Sequence, residues 1–106
     1  MKINLKKEVC GMSVKEEVKV EGATVPVYKY AENGITYYEF DTSELGPPEP
    51  MVNALAVLKL LDSQDKRVVM INHKKPMGLF DRIGDRYDYQ IEEVNGKYKI
   101  TFKIKE

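Results

Sequence analysis

Between Tyr87 and Ile104 the chain alternates. Tyr87, Tyr89 and Ile91 are separated by Asp88 and Gln90, and Tyr98, Ile100, Phe102 and Ile104 are separated by Lys99, Thr101 and Lys103. A period of two marks strands with one buried face. Asn95-Gly96 lies between the two runs, and Asn-Gly favours a two-residue hairpin loop because both residues accept positive φ. That loop predicts Val94 opposite Lys97 and Glu93 opposite Tyr98. It then sets Ile91 against Ile100, Tyr89 against Phe102 and Tyr87 against Ile104 on one face. Glu92 meets Lys99 and Asp88 meets Lys103 on the other, so apolar pairs and opposite charges fall on separate faces.

Asn33-Gly34 predicts a second hairpin that pairs Tyr30 with Tyr37 and Val27 with Phe40. Tyr28, Tyr30 and Tyr37 share one side of it, and Val27, Tyr38 and Phe40 the other. Apolar residues on both sides imply cover on both. Upstream, Val14, Glu16, Val18 and Val20 alternate with charges before Gly22, which predicts a third strand over about residues 16–21. Pro26 must then stand at a strand start, because it has no N–H to donate.

Leu45-Gly46-Pro47-Pro48-Glu49-Pro50 leads into a helical run to Asp62, since proline is tolerated in a first helical turn. Met51, Ala54, Leu55, Leu58 and Leu61 form the expected core stripe. Val52, Ala56, Val57 and Leu60 widen it beyond half the helix surface. This helix is therefore covered on a second side or meets a partner, for example in a homodimer through Val52, Ala56 and Leu60. Arg67–His73 reads as a buried strand around the unbroken Val68-Val69-Met70-Ile71. Pro76 opens a shorter helix with Met77, Leu79, Phe80 and Ile83 that closes near Gly84.

The order from residue 35 on is β-α-β-α-β-β. A helical crossover makes its first two strands parallel, and the final hairpin is antiparallel. The fold class expected is α+β: a two-layer α/β sandwich, a mixed sheet with two helices on one face. Residues 1–34 read as an N-terminal β extension and residues 35–106 as the main domain. The pattern leaves open whether the extension lengthens the sheet or covers the first helix.

Composition narrows the class of function. Lys plus Arg is 17 and Asp plus Glu is 17, so the net charge is zero, which argues against a nucleic-acid partner. No apolar run is long enough to cross a bilayer. Met1-Lys2-Ile3-Asn4 leads straight into charged residues, and Cys10 is the single cysteine. Together these lead us to expect a cytoplasmic protein.

If strands 35–41 and 67–73 are parallel, Asp41 and His73 end at one edge of the sheet, where the first helix also begins with Glu49. Ligands of open α/β sheets bind beyond such strand ends. The three prolines before Met51 remove N–H donors from the helix start and make a rigid ledge instead.

The segment Asp41 … Leu45-Gly46-Pro47-Pro48-Glu49-Pro50-Met51 resembles the opening of the TusA/SirA-like sulfur-carrier superfamily, which approaches a Cys-Pro-x-Pro motif at its first helix. It is most similar to a branch of unknown function that carries Pro-Pro-Glu-Pro-Met in place of that motif. A His-x-x-Pro-x-x-Leu element follows there, here His73-Lys74-Lys75-Pro76-Met77-Gly78-Leu79. The resemblance covers about residues 36–106 and implies the β-α-β-α-β-β fold. Pro47 occupies the position of the sulfur-carrying cysteine, and proline cannot hold a persulfide, so carrier activity of the usual kind is not implied.

The expected function is a binding or interaction module, leaning away from an enzyme. It would hold a small ligand or partner protein at a site of Asp41, Pro47, Pro48, Glu49, Pro50, Met51, His73, Pro76 and Leu79. Plainer roles stand beside these: Asp41 as a loop cap and Glu49, otherwise a base beside His73, as a first-turn acid. Met51 and Met77 as ligands of haem or copper with His73 are set against packing, and Lys74 and Lys75 meeting an anionic ligand against a solvated loop. The alternative is sulfur or thiol-redox chemistry at Cys10, set against a small buried thiol. A weaker alternative is metal or haem binding through His73, the only histidine. Structural zinc is not expected, since one His and one Cys do not make a ligand set. The sequence does not identify a cofactor.

Overall fold

The computed structural model describes residues 14–105. Strand β1 is Glu16–Val18, β2 is Val27–Glu32, β3 is Ile35–Asp41, β4 is Lys66–Asn72, β5 is Tyr87–Val94 and β6 is Lys97–Ile104; helix α1 is Glu49–Leu58 and α2 is Met77–Ile83. They form one six-stranded sheet in the order β1-β2-β3-β4-β6-β5. β3 and β4 are parallel, joined by the α1 crossover, and every other pairing is antiparallel.

Both Asn-Gly pairs form the hairpin turns expected of them. Asn33 and Gly34 have φ of 52° and 80°, and Asn95 and Gly96 have 52° and 79°, the doubly positive geometry that matches strand twist. The β5–β6 register runs from Tyr87↔Ile104 through Ile91↔Ile100 to Val94↔Lys97, and Tyr30 faces Tyr37 across β2–β3.

Alternation sends Tyr38 and Phe40 of β3, Val68 and Met70 of β4, and Ile100 and Phe102 of β6 to one face. There they bury against Ala54, Val57 and Leu58 of α1 and Leu79, Phe80 and Ile83 of α2. Phe80 stacks on Tyr89 of β5 with ring centroids 4.1 Å apart. Both helices thus lie on one face of a mixed sheet, the α+β sandwich expected. Phe40 and Phe102 are wholly buried in this layer, each worth about 1.5–3 kcal/mol of apolar burial.

Four local expectations change. Helix α1 stops at Leu58 rather than running to Asp62, because Leu60 and Leu61 donate to Val57 O and Leu58 O. These bonds three residues back tighten the last turn and close the helix. β1 ends at Val18, and β4 ends at Asn72, leaving His73 to open the following turn. The buried stripe of α1 is Pro50, Asn53, Ala54, Ala56, Val57 and Leu58, with Met51 and Leu55 only half-buried at its flank.

The stripe is rotated by a polar residue at its centre, Asn53, which is wholly buried. Its Oδ1 accepts from the backbone N–H of Thr24 at 2.6 Å and of Val25 at 3.3 Å. Its Nδ2 donates to Thr24 Oγ1 and to Glu49 O, both at 2.9 Å. A buried amide is tolerated when its donors and acceptors are met, and here it meets the backbone of the segment that crosses α1.

That segment also explains the surplus of apolar residues on α1. After β1 the chain turns at Gly22, whose φ is +92°, and a Cβ placed on Gly22 would lie 3.2 Å from Ala56 Cβ. Val18, Val20, Ala23 and Val25 pack against the core beside it. The N-terminal residues therefore do both things left open by the sequence: β1 and β2 lengthen the sheet, and residues 19–26 cover the helix. Ala56, expected at a dimer face, is buried inside the chain; of its two companions, Val52 is exposed and Leu60 is half-buried.

Candidate functional site

The parallel pairing of β3 with β4 brings the start of α1 and the turn after β4 together. Asn72, the last residue of β4, is buried and polar, and it organises this edge. Thr42 Oγ1 donates to Asn72 Oδ1 at 3.0 Å, and Asn72 Nδ2 donates to Lys74 O at 3.0 Å. Thr42 N–H reaches Ile71 O at 2.8 Å, and Met77 N–H reaches Lys75 O at 2.9 Å. The turn carrying His73, Lys74 and Lys75 is thus tied at both ends, to a neighbouring strand and to the start of α2.

Facing that turn is the proline ledge, where the Pro47–Pro48 peptide is cis and Pro48 caps α1. Between them lies a cleft of ≈ 300 Å³. Pro47, Pro48, Pro50 and Met51 form one wall. His73, Lys74, Lys75, Pro76 and Gly78 form the other, with Asn72 and buried Leu79 toward the base. Four of the chain's five prolines line this space, giving it walls that lack N–H donors and hold a fixed shape.

Two expected members stand elsewhere. Asp41 caps its own loop: its Oδ1 accepts from Ser43 N–H at 2.8 Å and from Ser43 Oγ at 2.6 Å. It borders a separate groove with Ile71 and Lys99, because odd positions of β3 and β4 face away from the helices. Glu49 lies back over α1, where its Oε1 accepts from Thr24 Oγ1 at 3.1 Å. It is tied to the N-terminal segment and does not line the cleft beside His73.

Four lining residues lie outside the set expected from the sequence: Lys74 and Lys75, read there as a solvated loop, and Asn72 and Gly78. Asn72 shows there only as the polar end of an apolar run. Gly78 shows as a glycine in a helical first turn, where helix formation gives it no reason. A Cβ on Gly78 would meet Met51 Cε at 3.2 Å, so the missing side chain keeps the cleft open and lets the methionine lie across it.

The ionisable lining residues are His73, Lys74 and Lys75. Lys75 Nζ lies 5.7 Å over the Tyr98 ring. Among the described residues none of the three forms an ion pair. No group of three or more His, Cys, Asp or Glu side chains that could hold a metal occurs among the described residues. Cys10 lies outside them.

The most perturbed titratable group is far from this edge. Burial, then the neighbouring Glu39 carboxylate, pushes the Tyr30 phenol well above its ordinary value. Its hydroxyl donates to Glu39 Oε1 at 3.1 Å, its ring stacks on Tyr37, and Lys15 Nζ approaches both Glu39 and the ring. This cluster knits β2 to β3 on the sheet face opposite the helices. Among the described residues no helix is long and apolar enough to cross a membrane. No family model matches the chain, and neither a curated protein nor a solved structure does.

Proposed function

We propose that this protein is a small binding module that holds a small-molecule ligand in the proline-walled cleft, without transforming it. The observation that carries this reading is the cleft itself. It has the ≈ 300 Å³ of a small ligand site, carbon-rich walls, and a turn held in place by buried Asn72. Rigid walls lower the ordering cost of binding. Among the described residues the lining has no hydroxyl, thiol or carboxylate, and none of them pairs with His73 there as nucleophile and base. The β-α-β-α-β-β order of residues 35–104 is compatible with the TusA-like resemblance, which belongs to the same proposal, as does a cytoplasmic place of action.

Gly78→Leu tests the reading. The leucine fills the space beside Met51 while replacing an exposed glycine in α2, a change that helix propensity favours. Small apolar fragments titrated into isotope-labelled protein should shift the amides of Met51, His73 and Gly78, and those shifts should vanish in the folded variant. Fragments that bind elsewhere, or bind Gly78→Leu equally well, would refute the cleft as the site.

A further inference from the structure

We infer that the ligand of this cleft is an amphipathic anion: a short apolar body that lies against the prolines and Met51, ending in an oxyanion on the side of Lys74 and Lys75. The inference rests on the reading of the cleft as a ligand site and adds the chemistry of what fills it.

The argument begins with the walls. Pro47, Pro48, Pro50 and Pro76 contribute no backbone N–H, and Met51 contributes a thioether. Hydrogen-bonding selectivity on the ledge side is therefore poor, and an apolar body is what that side accepts. The opposite wall differs. Its charge comes from Lys74 and Lys75, with His73 beside them, and among the described residues no acid lines the cleft.

The two acids expected at this edge are engaged elsewhere. Glu49 is bonded to Thr24 and Asp41 to Ser43. Lys74 and Lys75 both line the cleft, and among the described residues neither is ion-paired with a carboxylate, in a protein whose net charge is zero. The turn that carries them is already ordered by the Asn72 and Met77 bonds, so part of the backbone ordering cost is met before binding.

At ≈ 300 Å³ the cleft stands at the small end of ligand sites and has room for a short apolar body with its charged end. The expected preference is modest. Two exposed ion pairs contribute at the low end of electrostatic stabilisation, which amounts to about a tenfold preference for an anion over its neutral analogue, reduced by salt.

Hexanoate, 1-hexanol and hexylamine share one apolar body and differ in charge at neutral pH, and acetate supplies the charged end alone. In amide-shift titrations of the labelled protein, hexanoate should bind at the cleft about tenfold more tightly than hexanol. Hexylamine and acetate should bind more weakly still. In Lys74→Glu/Lys75→Glu, checked for an unchanged fold by its spectrum, the order should reverse so that hexylamine leads. Hexanol binding within about twofold of hexanoate, or a hexanoate preference that survives the charge reversal, would overturn the anion while leaving the cleft as a ligand site. Failure of all four probes to shift the cleft amides would overturn both readings.

Discussion

Asn53→Ala isolates the contact on which the cover of α1 depends. The wild-type side chain is wholly buried and makes four hydrogen bonds. Truncation leaves the N–H groups of Thr24 and Val25 without their acceptor. Each orphaned buried donor costs about 1–3 kcal/mol, and partial access to water places these two near the lower end. Loss of the Nδ2 bonds adds less, because Thr24 Oγ1 still has Glu49 Oε1. The sum is about 2–4 kcal/mol, a large part of the roughly 5–15 kcal/mol that holds an ordinary domain together.

For a chain of this length that corresponds to a fall in Tm on the order of 10–20 °C. Urea unfolding followed by circular dichroism measures it, with an unchanged slope indicating an unchanged unfolded state. Amide exchange at Thr24 and Val25 should accelerate more than exchange in β6. Asn53→Asp keeps an acceptor for both N–H groups but turns a carboxylate toward Glu49 O, so it should fall between alanine and wild type. A cost below about 0.5 kcal/mol for Asn53→Ala, with unaltered exchange at Thr24, would refute the reasoning.

Two further outcomes follow from the same packing. Gly22→Ala places a methyl 3.2 Å from Ala56 Cβ at φ +92° and should cost about 1–2 kcal/mol by denaturation. Adding Ala56→Gly should relieve the contact but not the backbone strain, so full recovery in the double variant would sink the strain argument. The Tyr30 phenol keeps its proton at a pH where the unfolded chain releases it. Its contribution is therefore fully present below the ordinary tyrosine pKa of about 10 and declines as pH rises above it. Tyr30→Phe should lose less stability on going alkaline, and Glu39→Gln should bring Tyr30 ionisation to lower pH by tyrosinate absorbance. Identical alkaline profiles in all three proteins would refute the link.

Much of the sheet was legible because its instructions are local. Asn33-Gly34 and Asn95-Gly96 impose their own φ angles, and a two-residue loop then dictates the pairing of both hairpins without reference to the rest of the chain. The apolar run Val68–Ile71 and the proline before each helix were similarly readable. They reflect backbone rules acting over a few residues.

The site was legible in part. Pro47, Pro48, Pro50, Met51, His73, Pro76 and Leu79 converge because parallel strands deliver the start of α1 and the turn after β4 to one edge. Asp41 and Glu49 do not join them, because Ser43 and Thr24 compete for their carboxylates. Side-chain direction at a strand end depends on such partners, and Thr24 is twenty-five residues from Glu49.

Taken alone, then, the order of residues determined the element sequence, the two hairpin registers and the parallel crossover, all consequences of turn geometry and hydrophobic period. Tertiary structure decided which face of α1 is buried, where its apolar surplus goes and what surrounds His73. Those depend on Asn53, Gly22 and Asn72, whose partners are backbone groups brought near only when the chain has folded. A hydrogen bond to a distant main-chain N–H leaves no periodic trace in a sequence, because any residue can supply it.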